Sequence, residues 1–276
     1  MKSLGSILGI IFVWTNLIIA QVSPTYLDAE RFVSSQDSQI VEAMQLIRFG
    51  DAEGAIVRLE KIVSSEKTPF EAMFLLGIAY RIKGNLTESI NSFTRATVED
   101  SYYLPAFFER GNCYLMRENF KQAVFDFDRV LLIDSSFVPA YNNRAYARIR
   151  NYGSQAFPTY QLKLALSDLQ KAAQISSARG EPHRFETYFN IGLLNLYQSE
   201  YAAAASAFDT AIFVKSDVSK AYYFRGAARF LNREYENAAK DFHTSEKLGF
   251  EHPNTPEFLR IIALVEEHKR KLKEEK

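Results

Sequence analysis

"ERGNCYLMRENFKQAVFDFDRVL", residues 109–131, holds the pattern on which the reading of the whole chain turns. Gly111 and Tyr114 precede a polar break at Glu118-Asn119, and Phe120, Ala123, Phe127 and Val130 follow it. Steps of three and four residues mark one face of an α-helix, so the stretch predicts two short helices joined by a turn. Small residues at Gly111 and Ala123 let two helix backbones come close, while Phe127 fills the space beside them.

The same pattern recurs along the chain. Gly77 lies thirty-four residues before Gly111 and Ala145 thirty-four after it, and one further step back reaches Ala43. Downstream come Gly192, forty-seven residues beyond Ala145, and Gly226, thirty-four beyond that. A second row of small residues follows at Ala55, Ser89, Ala123, Ala165, Ala204 and Ala238, with Leu59, Phe93, Phe127, Leu169, Phe208 and Phe242 four residues on. Three residues further stand Ile62, Ala96, Val130, Ala172, Ala211 and Ser245. Six two-helix units result, at 36–69, 70–103, 104–137, 138–184, 185–218 and 219–252. Turn signals split them at Gly50-Asp51, Gly84-Asn85, Glu118-Asn119 and Asn232-Arg233. Pro69, Pro105 and Pro139 sit near the first helical turn, where a missing N–H does no harm.

This period, the two-helix unit and the ordered Phe107, Gly111, Tyr114, Phe120, Ala123 and Phe127 resemble the tetratricopeptide repeat family. The resemblance covers residues 36 to 252 and implies an all-α, right-handed α-solenoid of six hairpins. The chain departs from the family at the unit-closing proline, replaced by Lys67, Ser101, Ser135, Ser177, Ser216 and Phe250, and at the first-helix tyrosine in four units. The fourth unit is thirteen residues longer, divided between NYGSQAFPTY (151–160) and ARGEPHR (178–184). Such insertions emerge as surface loops, and Tyr152, Phe157 and Tyr160 are candidates for an aromatic contact arm. Residues 253–276 read as a capping helix, with Phe258, Ile261, Ile262 and Val265 on one face, followed by a charged tail.

At 276 residues and 47% apolar, the chain is long enough to bury a core. Lysine plus arginine balances aspartate plus glutamate at 33 each, so no net field draws it to nucleic acid. At the N-terminus, Lys2 precedes an apolar run from Leu4 to Ala20, which reads as an export signal cut before Gln21. An uncleaved membrane anchor is the alternative, because the run is at the short limit for spanning a bilayer. Residues 21–35 form a polar leader. A cleaved chain is expected to be periplasmic or secreted, and membrane contact is expected only if the apolar segment is retained.

No constellation for catalysis, metal or cofactor stands out. The four histidines, His183, His243, His252 and His268, have no partners at metal-ligand spacing, and no phosphate loop or nucleophile motif is present. Cys113, the lone cysteine, takes a slot held by Ala79, Ala147 and Ala228 elsewhere, which predicts a small buried residue. Asn85-Leu86-Thr87 is a glycosylation sequon at a hairpin tip.

What the resemblance implies about function is a concave groove lined by the first helix of each unit. It places Phe74, Phe108, Asn142, Phe189 and Tyr223 along that groove, with Asn112 and Tyr146 one turn later and Asn143 and Asn190 beside them. Amides in the middle of an aromatic strip suit an extended or helical peptide. The two-carboxylate clamp of some family members is disfavoured: Asn112 and Asn143 match its amides, but Phe108, Glu186 and Asn190 stand where its cations belong. The expected protein is a non-enzymatic scaffold that binds a peptide segment of a partner protein. The alternative is a membrane-tethered assembly factor.

Overall fold

The computed structural model describes residues 33, 37–64, 69–151, 159–181, 184–250, 263, 267 and 270. The export segment, most of the leader, Tyr152 and Phe157 of the insertion, and nearly all of the capping helix lie outside them. Among the described residues the regular elements are all helices. They are α1 (Ser38–Arg48), α2 (Ala52–Val63), α3 (Phe70–Ile82), α4 (Leu86–Glu99), α5 (Leu104–Met116), α6 (Phe120–Ile133), α7 (Val138–Arg150), α8 (Thr159–Ala178), α9 (Phe185–Tyr197), α10 (Tyr201–Val214), α11 (Ser219–Leu231) and α12 (Tyr235–Lys247).

The chain divides after Asn151 into two compact units. The first holds α1 to α7 and the second α8 to α12, so the fourth repeat has its first helix in one unit and its second in the other. Within each unit every helix packs on the next in sequence. Helices α1, α3, α5 and α7 also touch one another in succession, as α9 touches α11. First helices therefore form an inner layer, and second helices stack outside it, as in an α-solenoid.

Five of the hairpins turn on one device. The helix pairs α1/α2, α3/α4, α5/α6, α9/α10 and α11/α12 are joined by three residues, of which the middle one has positive φ. That residue is Gly50 (83°), Gly84 (78°), Glu118 (56°), Ser199 (63°) or Arg233 (66°). The residue after it donates its N–H to a carbonyl five back: Asp51 to Leu46 at 2.8 Å, Asn119 to Tyr114 at 2.8 Å and Glu234 to Arg229 at 2.8 Å. This left-handed ending satisfies carbonyls that the helix leaves open. Asp51 and Asn85 then cap the following helix, each accepting an N–H from three residues on. Pro105 and Pro139 are the second residues of α5 and α7, where the first-turn N–H has no partner to lose.

Inside four of the hairpins, glycine faces phenylalanine. A Cβ added at Gly77 would lie 2.5 Å from the Phe93 ring, at Gly111 2.8 Å from Phe127, at Gly192 2.6 Å from Phe208 and at Gly226 2.9 Å from Phe242. The ring occupies the volume that any side chain on the first helix would need. In the first hairpin the slots hold Ala43 and Leu59, both fully buried in one cluster, so a larger residue on one helix is matched by a smaller one on the other. Ala145 and Leu169 repeat that exchange in the sequence of the fourth repeat. Gly77→Ala is expected to cost about 1–3 kcal/mol, the usual range for overpacking. Phe93→Leu in the same chain should recover part of that loss, and urea unfolding of the wild type, both single variants and the double variant will show whether the two slots are coupled.

Candidate functional site

The inner layer carries the residues the sequence pointed to, and the structure sorts them into two kinds. Phe74, Phe108, Phe189 and Tyr223 are buried, and each packs on the second-helix phenylalanine of its own hairpin. Ring centroids are 5.8 Å apart for Phe74 and Phe93, 5.8 Å for Phe108 and Phe127, 5.5 Å for Phe189 and Phe208, and 5.8 Å for Tyr223 and Phe242. A third ring closes several of these sets: Tyr103 lies 5.3 Å from Phe74, Phe137 5.1 Å from Phe108 and Phe250 4.7 Å from Tyr223. The expectation that the four rings face a partner is therefore corrected. They seal the joint beneath the glycine slot, where offset and edge contacts between rings stabilise the hairpin.

The amides form a network instead. Asn143 on α7 donates to Asn112 on α5 at 2.7 Å, and Asn112 donates to Glu109 at 3.4 Å. Glu109 in turn faces Arg81 on α3 at 3.6 Å. Glu109 and Asn112 are fully buried and Asn143 is 1% exposed. Three successive first helices are thus tied by a polar row where an apolar row would pack at less cost, since a buried charge is tolerated only when held by partners. Asn142 and Asn190 are buried too, in α7 and in α9 of the other compact unit.

Tyr146 is the one predicted groove residue that is half-exposed. Its ring meets Phe120 edge-on at 6.5 Å, and the guanidinium of Arg150 lies 6.0 Å from its centroid and 5.6 Å from that of Phe120. Arg150 also pairs with Glu118 at 3.3 Å. One helical turn beyond Ile78, Asn112 and Tyr146 stand Ile82, Met116 and Arg150, on the same helix face. Ile82 is 48% exposed and Met116 46% exposed, and Arg48 occupies the same register on α1, also exposed. The sequence reading passed over this row, although its positions, 48, 82, 116 and 150, share the thirty-four-residue period.

Family models of the tetratricopeptide repeat match residues 70–97 and 189–245. The chain carries tetratricopeptide repeats. Together with the paired helices they make the fold an all-α tetratricopeptide solenoid, and repeats of this kind are in general interaction modules and not enzymes. Solved structures agree on the fold. YrrB, described as a TPR protein with an unusual peptide-binding site, is 17% identical with a TM-score of 0.60, over 77% of this chain and 97% of its own. PilF of Pseudomonas aeruginosa is 13% identical with a TM-score of 0.60, over 82% of this chain and 96% of its own. MamA from Desulfovibrio magneticus RS-1 is 18% identical with a TM-score of 0.55, over 66% of this chain and 98% of its own. Comparison with curated proteins by sequence gives no match.

Cys113 lies within the repeats as a filler. Its side chain is fully buried on α5, 3.3 Å from the Ser89 hydroxyl, which itself donates to the Gly77 carbonyl at 2.8 Å. With that hydroxyl proton committed to Gly77, the thiol is the donor of the pair. Burial pushes its pKa up to about 11. Among the described residues no group of histidines, cysteines and carboxylates is placed to hold a metal. Because the thiolate is the reactive form, native chain at about pH 8 should leave Cys113 unlabelled by an aromatic disulfide reagent, and urea should expose one thiol per chain. Labelling of the folded chain at the rate of a free thiol would contradict this placement.

Proposed function

We propose that the chain is an exported, non-enzymatic scaffold that captures a peptide segment of a partner protein on the inner layer of its first compact unit. One observation carries this reading: Ile82 and Met116 are exposed apolar residues in register on α3 and α5, which touch one another, and Arg150 holds the same register, partly exposed, on α7. The occupant is a segment with apolar residues for Ile82 and Met116 and acidic residues for the flanking Arg48 and Arg150. The buried amide row of Asn112 and Asn143 lies one turn deeper and ties α5 to α7 beneath the site, with the partly exposed Tyr146 at its end. YrrB, of like fold, is described with a peptide-binding site of its own.

The test is selection of peptides from a random library on the full chain, followed by titration of the best binder. Ile82→Asp with Met116→Asp changes exposed residues, and is expected to weaken binding by at least roughly a hundredfold, about 3 kcal/mol, with the helical circular dichroism unchanged. Equal affinity for wild type and this variant rules out the inner layer.

Among the described residues no helix is long and apolar enough to cross a membrane, and residues 1–20 lie outside them. The export part of the proposal rests on the Lys2 and Leu4–Ala20 pattern. The tethered alternative keeps that segment as an anchor. N-terminal sequencing of chain purified from its native cell decides between them: Gln21 at the terminus supports export, and a retained leader supports the tether.

A further inference from the structure

Helix α11 carries Arg225 and Arg229, one turn apart on one face. Both reach the same two carboxylates. Arg225 binds Asp209 on α10 at 2.7 Å and Asp241 on α12 at 2.5 Å and 3.0 Å. Arg229 binds Asp241 at 2.8 Å and Asp209 at 3.2 Å. Two guanidiniums and two carboxylates thus alternate around a closed ring that spans three helices and carries no net charge. Its corners differ in environment. The Asp241 side chain is 3% exposed and that of Asp209 49%, with the two arginines at 14% and 19%.

The corners also belong to different hairpins. Asp241 lies in the same hairpin as the arginines, so its bonds hold α11 to α12. Asp209 lies in the hairpin before, so its bonds hold α11 to α10. Parts of this arrangement recur among the described residues. Arg110 forms a two-bond fork with Asp126 of its own hairpin at 2.7 Å and 2.9 Å, and faces threonines, Thr94 and Thr97, in the hairpin before. Arg144 reaches back to Asp128 at 2.7 Å, with Arg148 3.8 Å away.

We infer that the Asp209–Arg225–Asp241–Arg229 ring is a latch by which the hairpin α11/α12 is fastened to α9/α10, and that opening it at Asp209 releases the last hairpin as one unit. Geometry gives the reason. In a solenoid each hairpin contacts only its neighbours, so within this unit α11/α12 is held through the contacts of α11 with α10 and α9. Apolar contact there includes Phe224, whose ring lies 5.8 Å from Phe189 on α9 and 6.2 Å from Phe208 on α10. Asp209 adds two charge-assisted bonds to it, and without them both guanidiniums share the single carboxylate of Asp241 in a largely dry setting. Release uncovers Phe189 and Phe208, giving the repeats an apolar face that is closed while the latch holds.

Hydrogen exchange on the full chain, read by mass spectrometry, tests this. In Asp209→Asn, exchange of α11 and α12 should rise at least about tenfold while α9 and α10 keep wild-type protection, because local opening is read segment by segment. Asp217→Asn, an exposed charge in the loop before α11, is the control and should leave every segment as in the wild type. Asp241→Asn opens both sides of the ring and should raise exchange further. If Asp209→Asn leaves α11 and α12 at wild-type protection, or raises exchange equally in α9 to α12, the latch is wrong. Should Asp241→Asn fail to fold, the Asp209→Asn comparison still decides, since that corner is half-exposed and its loss leaves the hairpin's own fork intact.

Discussion

The contact of a second-helix phenylalanine with a first-helix glycine is the constraint on which the rest of the structure depends. Phe127 lies where a Cβ of Gly111 would be, and the same holds for Phe93 at Gly77, Phe208 at Gly192 and Phe242 at Gly226. Close approach brings the first-helix backbone against a ring instead of against side chains, which sets the spacing of the two helices. It also leaves the ring's other side for the aromatic on the preceding turn, Phe74, Phe108, Phe189 or Tyr223. In the α3/α4 hairpin the bare glycine carbonyl becomes an acceptor, and Ser89 in the small-residue slot uses it. Where the pair changes to Ala43 and Leu59, both slots change together.

From this constraint follows the division of labour on the first helices. Their middle turns are covered by their own second helix and by the first helices on either side, so even polar residues there are interior. The row from Arg81 through Glu109 and Asn112 to Asn143 shows what that requires: each member is held by the next, across three helices. On α3 and α5 the last turn, where the three-residue connection begins, emerges from this packing. Ile82 and Met116 are open for that reason, at the helix ends and not along their length.

The hairpins themselves were largely legible in sequence, because helical spacing and the glycine and aromatic slots are local signals with a fixed period. Four of the five tight connections were legible through Gly50, Gly84, the Glu118-Asn119 pair and the Asn232-Arg233 pair. The fifth, at Ser199, was not, since Gln198-Ser199-Glu200 holds no glycine or asparagine to mark the turn. The candidate site was less legible. A phenylalanine spaced to face inward reads the same whether the inside is a groove or a filled joint, and only the ring contacts tell the two apart. Tyr103 and Phe137, which complete the joints, went unremarked because they stand at the ends of their repeats, outside the periodic slots.

By itself the sequence determined that this chain is built of paired helices, where most of them turn, and that Cys113 fills an alanine slot. Each of these depends on residues within one hairpin's length, whose spacing and size are written in order along the chain. Tertiary structure alone decided which side chains are spent and which are offered. Burial is a sum over neighbours from adjacent hairpins, so the same inward-facing spacing yields a sealed Phe108, a tethered Asn143 and a half-open Tyr146. The ion pairs follow the same logic: Arg225 finds Asp209 and Asp241 because two helix junctions bring sixteen residues on either side to one point.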